Sequence, residues 1–123
     1  MVPPAGGTFG LDGIRFYNGV LYFTNITKRT FNKVAISISG KPGAVQEVLT
    51  ATTADDLSFD ASGNAYLAAP RDGGVIKVDP AGKVTKLVGF TGPTCTIFGR
   101  SDATKNTLYI GGGTTVGSFV VSV

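Results

Sequence analysis

An all-β fold is predicted by three observations. No stretch sustains the helical period of apolar residues. Short apolar runs alternate with clusters of Gly, Asn, Asp and Pro, and the 18 glycines favour turns over long helices. A figure of apolar strand, turn and apolar strand also recurs, anchored by Phe16, Phe59 and Phe98, which lie 43 and 39 residues apart. A period of about 40 residues with four strands per unit is the signature of propeller blades. One blade cannot bury both faces by itself, so blades stack around an axis, and rings close with about four to eight. The prediction is three four-stranded blades, half of a six-bladed β-propeller.

The 123 residues are read as one half-propeller, 1–123. Residues 1–9 are a Pro/Gly-rich lead-in. Blade 1 covers about 10–50. In it Ile14–Tyr17 and Val20–Asn25 flank the tight turn Asn18-Gly19. Thr27–Asn32 is a polar loop, Lys33–Ser39 a third strand of alternating apolar and small residues, and Gln46–Thr50 a fourth. Blade 2, about 54–88, has strands at Leu57–Phe59, Ala65–Ala69, Gly74–Asp79 and Val84–Val88. Asp60-Ala61-Ser62-Gly63-Asn64 is its first turn, with Gly63 and Asn64 suited to positive φ, and Pro80-Ala81-Gly82 is its third. Blade 3, about 93–123, has strands at Thr94–Phe98, Thr107–Gly111 and Gly117–Val123, with Gly111-Gly112-Gly113 as bulge and turn. Its fourth strand is expected from the other end of a ring, as in many propellers. The aromatic residues Phe16, Tyr22, Phe23, Phe59, Tyr66, Phe98 and Tyr109 fall at strand positions and are assigned to the core.

Composition narrows the function. An apolar share of 42% with 15% charged residues suits a globular chain. No apolar run approaches the ~18 residues of a membrane span. Met1-Val2-Pro3-Pro4 does not resemble a signal peptide. The compartment stays open between an intracellular protein and a chain lacking its natural N-terminus. A net charge of +3 is mild, and Lys28, Arg29 and Lys33 form the one basic cluster, read as a solvated loop, so no nucleic-acid partner is expected. The absence of His rules out a Ser-His-Asp triad, a Cys-His pair and His-ligated zinc. Cys95 stands alone and is read as a small apolar residue rather than a nucleophile.

Asp12, Asp55 and Thr94 share one repeat position, four residues before each anchoring Phe. In a propeller this position enters the innermost strand and rims the central channel. Two carboxylates at one mouth suit a hard cation such as Ca²⁺ or Mg²⁺, and a carboxylate beside a metal can serve as general base. The commoner role of Asp at a strand entry is to cap a turn through its own backbone. Asp56 is read as a turn or blade-to-blade contact. Arg15 and Arg100 suit either an anionic substrate or ion pairing between blades.

The ordered motifs resemble a known family. They are Asp12-Gly13-Ile14, Leu21-Tyr22-Phe23-Thr24-Asn25, Ala54-Asp55-Asp56-Leu57, Asp60-Ala61-Ser62-Gly63-Asn64-Ala65-Tyr66, Gly73-Gly74-Val75-Ile76-Lys77-Val78-Asp79-Pro80, Phe98-Gly99-Arg100 and Leu108-Tyr109-Ile110. Over about residues 10–113 the chain resembles the C-terminal half of regucalcin/gluconolactonase-like six-bladed propellers, especially their fungal branch. The resemblance implies a divalent cation (calcium, magnesium or zinc) held at the channel mouth by a Glu, two Asn and an Asp from different blades. Asp12 falls at an Asn ligand position, and Asp55 at the position of the Asp ligand and general base. The Glu and the second Asn belong to blades outside this chain.

Three readings follow. The first is metal-assisted hydrolysis of a small lactone, with Asp55 as ligand and base, Asp12 as second ligand, and Thr94 and Arg100 toward the substrate. The second is a metal-free pocket protein or pericyclase of natural-product biosynthesis, similar to the hetero-Diels–Alder cyclases of the fungal branch, whose members are often secreted. There Asp12, Thr94 or Arg100 orient the substrate by hydrogen bonds. The third is a non-catalytic half-propeller that assembles with a partner half, either a second copy or a missing N-terminal part.

Overall fold

The computed structural model describes residues 10–88, 90–113 and 115–120. It contains eleven strands and no helix among these residues. They are β1 (Leu11–Tyr17), β2 (Val20–Asn25), β3 (Thr30–Ile36), β4 (Pro42–Thr50), β5 (Asp56–Phe59), β6 (Ala65–Ala69), β7 (Gly74–Val78), β8 (Val84–Val88), β9 (Cys95–Phe98), β10 (Thr107–Gly112) and β11 (Thr115–Val120). Each sheet is an antiparallel meander: β1-β2-β3-β4, β5-β6-β7-β8 and β9-β10-β11. The first strands of the three sheets, β1, β5 and β9, lie side by side and form the inner edge.

Local chemistry explains the hairpins. Asn18 and Gly19 take φ of 48° and 78°, so the β1–β2 turn twists with its strands. The β5–β6 turn is closed by Asp60, whose Oδ1 accepts the N–H groups of Ser62 and Asn64, both at 2.9 Å. Its Oδ2 accepts Asn64 Nδ2 at 2.7 Å and the Tyr66 hydroxyl at 2.9 Å. Burial pushes the Asp60 carboxyl up, but the hydrogen bonds from Asn64, Tyr66 and Ser62 outweigh it and hold the pKa below its usual value. Asp79 closes the β7–β8 turn in the same way, accepting the N–H groups of Ala81 and Lys83 at 2.9 Å. Ser37 does so for β3–β4, accepting the Lys41 N–H at 3.0 Å. Of the pair Gly63 and Asn64, Gly63 alone takes positive φ, at 83°.

The middle sheet is covered on both faces, and β6 is buried at all five residues. Its side chains alternate. Ala65, Leu67 and Ala69 join Leu57, Ile76 and Val78 in a cluster with Phe31 of the first sheet. Tyr66 faces the other way and packs with Val75, Leu108 and Ile110. Each fully buried Leu or Val contributes about 1.5–3 kcal/mol. Aromatic pairs reinforce both seams: Tyr17 stacks on Phe59 at 4.7 Å between centroids, and Phe98 meets the Tyr66 ring edge-on at 5.1 Å.

Several expectations are corrected. The third strand begins at Thr30, not Lys33, and ends at Ile36. Thr30 and Asn32, polar-loop residues by sequence, are buried strand residues, with Asn32 Nδ2 donating to Thr30 Oγ1 at 2.8 Å. The fourth strand begins at Pro42 rather than Gln46. Phe16 and Tyr109 are not core: they are 62% and 37% exposed, on the outward faces of the first and third sheets. Cys95 is exposed rather than buried. The lead-in 1–9 and the last residues of the expected final strand, 121–123, lie outside the described residues.

The seam between the first two sheets leaves no room at Gly13. A Cβ there would sit 2.6 Å from the Asp55 carbonyl oxygen and 2.7 Å from Asp56 Cα. Gly13→Ala is expected to cost about 1–3 kcal/mol, read as a lower Tm. Gly43→Ala, whose Cβ would meet Ala35 O at an ordinary 3.5 Å, is the matched substitution and is expected to leave Tm unchanged or higher.

Candidate active site

The site forms where β1, β5 and β9 begin. A β-bulge interrupts β1 there, since Leu11 pairs with Asn25 but the next register pair is Ile14 with Phe23. Bulges re-aim side chains, and this one carries Asp12 and Gly13. The Gly13 N–H lies 2.9 Å from Thr24 Oγ1 and 2.8 Å from the Asp55 carbonyl oxygen. The Thr24 hydroxyl donates to the same carbonyl at 3.0 Å, and the Asp55 N–H donates to Ala68 O at 2.8 Å. The backbone of Asp55 is therefore fully occupied, while its side chain is left over.

Neither the Asp12 nor the Asp55 carboxylate makes a hydrogen bond or ion pair among the described residues. The turn-capping carboxylates are Asp60 and Asp79, while Asp72 braces the loop before β5 by accepting the Thr53 N–H. Asp12 and Asp55 stand between two open depressions and line both. The larger, about 850 Å³, is also walled by Arg29, Thr53 and Arg71. The smaller, about 380 Å³, reaches Arg15, Asp56 and Thr94. Burial pushes the Asp12 carboxyl above its ordinary pKa, and the charge of Asp56 adds to this. Asp55 is raised by burial, then by Asp12 and Asp56, with Arg71 opposing. Asp56 itself is tied to Arg15 across the seam, Nη2 to Oδ2 at 3.0 Å.

Residues 12–114 match the SMP-30/Gluconolactonase/LRE-like region. The chain belongs to this family. It is 35% identical over 120 residues to a putative hetero-Diels-Alderase from Phoma sp, a match covering 87% of this chain and 34% of that protein. It is similar in structure to luciferin-regenerating enzyme, with a TM-score of 0.71 at 18% identity over 82% of this chain and 36% of the other. A weaker likeness, with a TM-score of 0.58 at 12% identity, links it to virginiamycin B lyase from Staphylococcus aureus, over 98% of this chain and 44% of that one. The chain thus spans about a third of the curated relative it matches. The three sheets are blades of this family's propeller.

Within that frame, the Asp12, Asp55 and Thr94 positions meet at one mouth. Arg100 does not join them, since it follows the far end of β9 and is exposed there. Arg15 is engaged by Asp56. No group of three or more Cys, Asp or Glu residues is disposed to hold a metal among the described residues. Asp12 and Asp55 offer two hard oxygen donors, which fit part of a calcium shell of about six to eight oxygens. Sequence reasoning missed Arg29, Thr53 and Arg71. The available signal was hairpin register: Asp56 pairs with Ala68, so the loop after β6 returns to the level of Asp55.

The raised carboxyls set a pH dependence. A carboxyl with a raised folded-state pKa favours the fold below the ordinary pKa of 3.8, and that contribution is lost as pH rises through the folded value. Asp12→Asn is therefore expected to raise Tm at neutral pH in metal-free buffer, to have little effect near about pH 3, and to lose part of its benefit in high salt. Thermal melts across pH and salt test this; a lower Tm at neutral pH would show that the Asp12 carboxylate stabilises the fold.

Proposed function

We propose that the mouth formed by Asp12 and Asp55 is the active site of a lactone-hydrolysing propeller. The observation that carries this is the pair of uncommitted carboxylates, raised in pKa, on a backbone that is fully hydrogen-bonded. A water oxygen attacks the lactone carbonyl carbon, and the Asp55 carboxylate takes the water's proton. The ring C–O bond then breaks, and Asp55 returns that proton to the departing alkoxide, giving a hydroxy acid. A pKa raised above the ordinary carboxylate value makes Asp55 a stronger proton acceptor than an ordinary carboxylate. Asp12 and Asp55 are the residues of this chain that would hold a divalent cation, which when bound supplies polarisation of the carbonyl. Thr94, which lines the smaller depression, would orient the substrate by a hydrogen bond.

A second reading, a metal-free pocket for a cyclisation, is supported by the relative from Phoma sp. The readings separate on one set of measurements in the full-length protein. For the hydrolase, Asp55→Asn is expected to lower kcat by about 10²–10⁴-fold with KM little changed. Millimolar calcium or zinc is expected to raise Tm. An unchanged melt with metal, together with no lactonase activity in the wild type, would favour the cyclase, whereas full lactonase activity in Asp55→Asn would remove Asp55 as the base.

Closure of the ring needs a partner half. Ile14 and Phe16 are 49% and 62% exposed on one flank, and Ile97 and Tyr109 are 48% and 37% exposed on the other. These flanks fit the remaining blades of a longer chain or a second copy of this one. Light scattering on this 123-residue chain is expected to give twice its 12.6 kDa mass if two copies close the ring. A stable monomer at micromolar concentration rules out self-closure and leaves the longer chain as the source.

A further inference from the structure

The larger depression has a cationic wall that the proposed hydrolysis does not use. Arg71 lines it from the β6–β7 loop and makes no hydrogen bond or ion pair among the described residues. The acid beside it in sequence is already taken, since Asp72 Oδ2 accepts the Thr53 N–H at 2.7 Å and the Thr52 hydroxyl at 3.0 Å. Arg29 lines the same depression from the β2–β3 turn. Its guanidinium donates to Ala51 O at 3.3 Å, and its carbonyl accepts the Thr52 N–H at 3.0 Å.

This corner of the molecule is strained. Among the described residues, three non-glycines have positive φ: Asn18, in its hairpin turn, and Arg29 and Ala51, at 55° and 59°. Such a backbone is unfavourable for a residue with a side chain and persists when its surroundings enforce it. Here the two strained residues are bonded to one another at the edge of the depression. Thr53 lies in the same wall, with Oγ1 buried and without a hydrogen-bond partner among the described residues.

The lining of the depression is divided between the acids Asp12 and Asp55 and the arginines Arg29 and Arg71, with Ile26 and Pro70 also in its wall. A neutral ligand gains little from that division, whereas a ligand with an acidic end is oriented by it. A guanidinium binds a carboxylate through two parallel hydrogen bonds, each charge-assisted. We infer that Arg29 and Arg71 form a carboxylate-recognition subsite, which holds the acidic group of a small substrate or product with its remaining atoms against Asp55. The inference deepens the proposed hydrolysis and rests on that reading for the identity of the reacting end.

The test uses gluconate and the uncharged polyol sorbitol as paired probes, titrated calorimetrically against the full-length protein in metal-free buffer. Gluconate is expected to bind at least about tenfold more tightly than sorbitol, with a Kd that weakens as salt rises. Arg71→Gln is expected to weaken gluconate by about tenfold or more and to leave sorbitol unchanged, while Arg71→Lys retains part of the affinity. Arg29→Gln is expected to act in the same direction. Equal binding of the two probes, no gluconate binding by the wild type, or undiminished gluconate binding by both Gln variants overturns the subsite. Asp55→Asn separates the two proposals. If it abolishes lactone hydrolysis yet still binds gluconate, both stand. If hydrolysis survives it, the assignment of Asp55 as the base fails while the gluconate titrations still decide the subsite.

Discussion

One small contact governs the architecture of the mouth. The N–H of Gly13 approaches both Thr24 Oγ1 and the Asp55 carbonyl, and the Thr24 hydroxyl closes the triangle. Thr24 is fully buried, so these polar groups must satisfy one another. The arrangement exists because residue 13 has no Cβ, which lets the backbones of two blades touch. It fixes the spacing of Asp12 and Asp55 through main-chain atoms, leaving both carboxylates unspent. The Arg15–Asp56 pair and the Tyr17–Phe59 stack extend the same seam along β1 and β5. Asp12 and Asp55 are thus held close by interactions in which their own charges take no part.

The two ends of the blades divide the work. At one end the turns are short and closed by their own side chains, Ser37, Asp60 and Asp79. At the other end the loops after β2 and β6 and before β5 brace one another, through Asp72 on Thr52 and Thr53 and through Arg29 on Ala51. Chemistry-bearing residues concentrate at the second end, where loop backbone is supported by rigid strands. Arg100 lies at the first end, and this places it apart from the acids.

Much of the fold was legible because β-structure writes itself locally. Alternating apolar residues marked the strands, and Asn-Gly and Asp-x-x-Gly marked the turns. The errors arose where burial overruled polarity. Thr30 and Asn32 look like loop residues but bond to each other inside the first sheet. Phe16 and Tyr109 look like core, yet they occupy faces with no neighbouring blade in this arc. Asp12 and Asp55 were found through repeat position, which survives in the chain as spacing. Arg29 and Arg71 lie in equivalent loops of their blades, between second and third strands, but at different places within them, so no exact repeat spacing marked them.

The chain by itself determined the all-β class, the recurring module and the two acids at equivalent entries, because these follow from periodicity and turn chemistry within a few residues. Tertiary structure alone decided which polar groups were spent and which were left free. Asp56, Asp60, Asp72 and Asp79 are occupied by partners, and Asp12 and Asp55 are not. That distinction depends on distances of a few ångströms between residues tens of positions apart, and only packed blades set such distances.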